Sequence, residues 1–101
     1  MNRHQSIPPL HPGEILREDL LPALPISKTQ LAKSLQISRQ TLYAILNERQ
    51  PVTAKMALRL GKLFGNGAPL WLNLQRNYDL ATAEKTTNLS TIPTLHPATN
   101  Q

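Results

Sequence analysis

Apolar residues in this chain recur at helical intervals, and prolines and glycines break the pattern into five stretches. Residues 1–11 are polar, carry Pro8 and Pro9, and read as a loosely ordered arm. Pro12 suits the first turn of a helix, where a missing N–H does no harm, and Glu14 complements the positive end of that helix. Ile15, Leu16 and Leu20 share one face, and Pro22 stops this first helix near Leu21. Ser27 heads a second helix as N-cap, with Gln30 completing a capping box, and Leu31, Ala32 and Leu35 face inward. Only Gln36 and Ile37 intervene before Ser38 caps a third helix, whose inward side is Leu42, Ile45 and Leu46. Thr53 caps a fourth, with Met56, Ala57, Leu60, Leu63 and Phe64 on its apolar side and Gly65-Asn66-Gly67 at its end. A fifth opens at Pro69 and carries Leu70, Trp71, Leu74, Tyr78 and Ala81 toward Glu84. Residues 85–101 hold five Thr, two Pro and no periodicity, and read as a flexible tail. Nothing alternates with period two, so the pattern predicts an all-α domain of five helices over residues 12–84.

The second and third helices, so closely joined, must cross steeply, and the small Ala32 lets them approach. Leu31, Ala32, Leu35, Ile37, Leu42 and Ile45 have the spacing of a helix-turn-helix over about residues 27–47. The polar face left outside is chemically apt for DNA. Arg39 can fork onto guanine O6 and N7, Gln40 can bond an adenine edge, and Thr41 or Tyr43 can meet a thymine methyl or a phosphate. Asn47 and Arg49 reach the backbone or the last bases. Ser27, Lys28 and Gln30 at the start of the second helix suit a phosphate, as does Ser38 at the start of the third, through free N–H groups and the helix dipole. The competing account makes Arg39, Gln40 and Tyr43 ordinary solvent-facing residues. Phe64 and Trp71 read as core, the usual place of an aromatic at helical spacing.

Charge weighs toward DNA. From Ser27 to Lys62 stand seven basic residues against the single Glu48, whereas the rest of the chain has four basic against five acidic. The net charge of +5 is therefore concentrated on the helix-turn-helix and its flank, as a polyanion partner requires. With 101 residues and no cysteine, the chain has no room for a large catalytic cleft, no thiolate and no disulfide, which suits the reducing cytosol. His4, His11 and His96 form no metal-ligand spacing and no carboxylate pair stands at catalytic distance, so neither an enzyme nor a metal or other cofactor is expected. No apolar run approaches the roughly 18 residues of a membrane span, and the first residues lack a signal-peptide core, so a cytoplasmic protein is expected.

Three segments carry a more specific likeness: HPGEIL at 11–16, LAKSLQISRQTLYAILNERQPVTAKMALRL at 31–60 and LWLNLQRNYDL at 70–80. Together they resemble the HigA-type antitoxins of bacterial toxin–antitoxin operons, members of the lambda-repressor-like (XRE) helix-turn-helix family. The likeness covers residues 8–84. It implies a five-helix dimer that binds a palindromic operator, represses its own operon and neutralises a HigB or RelE-like toxin that cleaves mRNA on the ribosome. By position, the family's DNA-reading residues fall on Ser38, Arg39, Gln40, Thr41, Tyr43 and Asn47. Two departures stand out. Many relatives have Gly where Gln36 stands, and a left-handed turn there costs a non-glycine residue roughly 1 kcal/mol. Lys28 replaces a Gln that often contacts phosphate, and serves as a point charge with less directionality.

A single helix-turn-helix reads only a few base pairs, so useful specificity needs two copies on half-sites about 34 Å apart. Leu72 and Leu80, off the inward face of the fifth helix, are the candidate dimer interface. The arm, the acidic first helix with Glu14, Glu18 and Asp19, and the tail are alternative contacts for a basic toxin. The rival functions are a stand-alone regulator without a toxin and a pure protein-interaction module.

Overall fold

The structure, a computed structural model, describes residues 8–97, and its regular elements are all helices. The first helical segment begins as α1 (Pro12–Ile15), widens into a π turn (Leu16–Leu20) and tightens into a 3-10 turn (Leu21–Ala23). It therefore runs past Pro22, where the sequence pattern ended it near Leu21. In a continuing α-helix the Pro22 ring would press on the Glu18 carbonyl and leave it without a donor. The change of helical pitch carries the chain around that conflict while keeping Leu16 buried and Leu20 against the core.

Next come α2 (Lys28–Leu35), α3 (Arg39–Leu46), α4 (Ala54–Phe64) and α5 (Ala68–Thr86). Ser27, Ser38 and Thr53 cap α2, α3 and α4 through their side-chain oxygens. Gly65, at φ 74°, closes α4 in the left-handed region that a C-terminal glycine serves best. The fifth helix begins one residue before Pro69 and ends two beyond Glu84. Residues 87–97 follow without helix or strand and are exposed. The arm's first seven residues lie outside the described residues, whereas His11, assigned to the arm by its sequence, is buried and caps α1.

One core joins all five helices. Leu31, Ala32 and Leu35 of α2 meet Leu42, Ile45 and Leu46 of α3, and Met56, Ala57, Leu60 and Trp71 close the other side. Two glycines permit the closest approaches: a Cβ on Gly13 would run into the Ile45 carbonyl of α3, and one on Gly61 into the backbone of Gly67 and Ala68. Two apolar positions expected inside are not. Leu63 of α4 is 39% exposed and Leu70 of α5 is 45% exposed, because Phe64 and Trp71 fill the space between these helices.

Candidate nucleic-acid interface

Local hydrogen bonding fixes the two helix starts that were assigned to DNA. The Ser27 hydroxyl accepts from the Gln30 N–H at 3.1 Å and the Gln30 side-chain oxygen accepts from the Ser27 N–H at 3.1 Å. The Gln30 amide still has two N–H donors beyond this pair. At α3, Ser38 Oγ accepts from the Thr41 N–H at 3.0 Å and donates to Thr41 Oγ1 at 2.9 Å, so Thr41 keeps its own hydroxyl proton to give. Thr41 is half-buried, while Arg39, Gln40 and Asn47 are exposed. Lys28 Nζ stands 5.6 Å from the centroid of the Tyr43 ring, a cation–π contact worth roughly 0.5–1 kcal/mol at an exposed site. The start of α2 and the middle of α3 therefore present one surface, with a cation stacked on the aromatic that was expected to meet the double helix.

That surface is held from behind. Arg17 Nη1 donates to the Leu46 carbonyl at 2.6 Å, closing the end of α3, and lies 3.3 Å from Glu48 Oε2. Its Nε also donates to Glu18 at 2.8 Å, and the two carboxylates, Glu18 foremost and then Glu48, raise the guanidinium pKa further. Glu48, the only acidic residue of the basic block, is thereby paired with the π turn that follows α1. It sits at φ 61° as the chain turns away from α3. Arg59, counted in the same block, is bound to backbone instead: its Nη1 donates to the Leu35 carbonyl at 3.0 Å. Arg49 is exposed but borders another cleft, of about 240 Å³, whose lining also includes His11, Glu48, Gln75, Tyr78 and Asp79. The Ser27–Lys28–Gln30 and Ser38–Tyr43 groups are brought together; Arg49 instead stands beside α5.

Two polar residues at this junction escaped the sequence reading. His11 is 2% exposed; its Nδ1 accepts from the Gly13 N–H at 2.8 Å, and its ring packs edge-on against Tyr78 at 4.9 Å. Burial lowers its pKa below the usual 6.5, against the opposing pull of Glu48 and Asp79. Gln75, 6% exposed, accepts from the Val52 N–H at 2.7 Å and donates to Asp79 at 2.8 Å. A histidine directly before Pro-Gly-Glu at a helix start was the available signal for the first. Gln75 offered none, being one polar residue in a helix with apolar residues on every side.

Leu72 and Leu80 lie on α5 at 38% and 56% exposure. Among the described residues, no helix is long and apolar enough to cross a membrane.

The helix-turn-helix family matches residues 16–72. Virulence-associated protein I of Dichelobacter nodosus is 46% identical over 80 residues, covering 79% of this chain and 74% of that protein. An addiction module antidote protein of a HigA family from Coxiella burnetii is 42% identical, with a TM-score of 0.80 over 89% of this chain and all of that one (100%). The Pseudomonas aeruginosa antitoxin HigA, in a structure with the higBA promoter, is 40% identical, with a TM-score of 0.77 over 90% and 99% of the two chains. With its fold, its capped helix pair and these relatives in agreement, the chain belongs to the lambda-repressor-like helix-turn-helix family and, within it, to the HigA-type antitoxins.

Proposed function

We propose that this protein works as a dimeric repressor of its own operon and neutralises a RelE-like, mRNA-cleaving toxin encoded beside it. The observation that carries the DNA half is the exposed row Arg39, Gln40, Tyr43 and Asn47 on a helix whose two ends are fixed by Ser38 and Arg17. The promoter complex of the Pseudomonas aeruginosa antitoxin supports it. Arg39 and Gln40 read base edges, Thr41, Tyr43 and Asn47 complete the readout, and Ser27, Lys28, Gln30 and Ser38 hold phosphates, with Arg49, set apart beside α5, left to a flanking phosphate outside the α2–α3 surface. Two copies, joined through the α5 surface around Leu72 and Leu80, place two such helices on a palindrome.

The toxin half rests on family membership and on chemistry. A basic toxin would favour the acidic first helix, where Glu14, Glu18 and Asp19 gather, with the arm and tail as further contacts. Co-purification with the product of the upstream gene, followed by footprinting on the operon promoter, tests both halves. A protected palindrome together with a stable complex is the expected result. A protected palindrome with no upstream toxin would leave a stand-alone regulator, and no protection at low salt would leave only an interaction module.

A further inference from the structure

Arg59 belongs by sequence to the basic block, yet its guanidinium is committed to the turn of the helix-turn-helix. Its acceptor, Leu35, is the last residue of α2, and the next residue, Gln36, lies at φ 60° and ψ 44°. That left-handed conformation disfavours any residue with a side chain. Backbone bonds support it in part: the Gln36 N–H donates to Lys33 and the Ile37 N–H to Ala32, both at 3.0 Å. The Leu35 carbonyl takes part in neither, and Arg59 supplies its donor together with a positive charge at the negative end of α2. Arg59 is delivered from α4, a helix anchored by buried Met56, Ala57 and Leu60.

Only Gln36, Ile37 and Ser38 separate α2 from α3, so the conformation at Gln36 sets the direction in which α3 leaves. Arg39 and Gln40 open α3 and stand three and four residues beyond Gln36, a lever of roughly 10 Å, so a rotation of roughly 10° at the turn moves them by up to about 2 Å. A shift of that size breaks a forked contact with a base edge, while a flexible lysine can still follow a phosphate.

We propose that Arg59 is a positioning residue for sequence readout: by holding the Leu35 carbonyl it fixes the left-handed turn at Gln36, and with it the angle at which α3 presents Arg39 and Gln40. The inference rests on the DNA-binding reading above. The test compares the full chain with its Arg59→Met, Arg59→Lys and Arg59→Met/Gln36→Gly variants. Each is titrated against a duplex from the segment immediately upstream of its own gene and against a random duplex of equal length, over a salt series. Arg59→Met should lower the promoter-to-random preference by about tenfold while leaving the salt slope unchanged. Glycine at position 36 should restore most of that preference, since it adopts the left-handed turn without help.

A direct phosphate contact would instead reduce the salt slope by about 1 and weaken both duplexes equally, which overturns the inference. Full preference retained in Arg59→Met also overturns it. Thermal melts accompany each titration. If Arg59→Met is not folded at the assay temperature, Arg59→Lys gives the same decision, because it keeps the charge while its ammonium ends about one bond short of where Nη1 meets the Leu35 carbonyl. A wild-type chain with no promoter preference would sink the DNA-binding reading itself and this inference with it. A wild-type preference that survives both Arg59 variants sinks the inference alone.

Discussion

Gly13 illustrates how single residues set this molecule's geometry, since a methyl group there would enter the Ile45 carbonyl rather than open space. Gly13→Ala should push α1 away from α3 and destabilise the fold by about 1–3 kcal/mol, read from the urea midpoint. An unchanged midpoint would mean that the two helices separate freely. On the exposed side the expectations concern recognition. Arg39→Ala or Gln40→Ala should cost roughly 1–3 kcal/mol on the operator and relax one base position, whereas Lys28→Ala should weaken all sequences about equally. Equal loss on operator and random DNA for Arg39→Ala would remove it from base reading. The exposure of these residues and the caps Ser27, Ser38 and Thr53 were legible because their logic spans three or four positions of chain. Arg17, Arg59 and Gln75 were not, because their partners Leu46, Leu35 and Val52 stand 29, 24 and 23 residues away.

Elements follow the apolar pattern until two of them compete for the same space. The inward faces of α2 and α3 are those the sequence gives, with Leu31, Leu35, Leu42 and Ile45 at 2% exposure or less. On α4 and α5 the pattern is broader than the contact, and Leu63 and Leu70 are left at the rim by the larger rings beside them. The start of α1 hides a pH dependence. His11 accepts the Gly13 N–H through Nδ1 while buried, and burial depresses its pKa, so the fold favours the neutral ring. The unfolded chain takes up the proton first as pH falls through about 6.5. Stability from this group is therefore complete above that pH and is lost progressively below it, toward the lower folded value. The urea midpoint should drop between pH 7.5 and pH 5.5, and His11→Asn, which keeps an N-cap acceptor without a titrating ring, should flatten that change. An equal drop in His11→Asn would assign the acid sensitivity to other groups.

Across the whole molecule, charge bears on the proposed binding of two copies to one duplex. With Glu48 paired to Arg17 and Arg59 bound to the Leu35 carbonyl, Lys28, Lys33 and Arg39 remain as exposed cations on the α2–α3 pair itself. So small a set makes each phosphate count: operator affinity should fall with salt by about 0.9 log units per decade for each phosphate neutralised. On the proposed dimer, half-sites about 34 Å apart, one turn of the double helix, are the spacing that the recognition helices of the two copies must meet. If α5 joins them, placing a carboxylate on that face should separate the copies without unfolding either, because Leu72 and Leu80 are too exposed to carry the core. Leu72→Glu/Leu80→Glu should melt within a few degrees of the parent, behave as a monomer in light scattering at micromolar concentration, and bind a single half-site as the parent does. Its affinity for the complete palindrome should fall toward that of one half-site. A double variant that remains dimeric would move the interface off this face of α5 while leaving each copy's reading of its half-site as described.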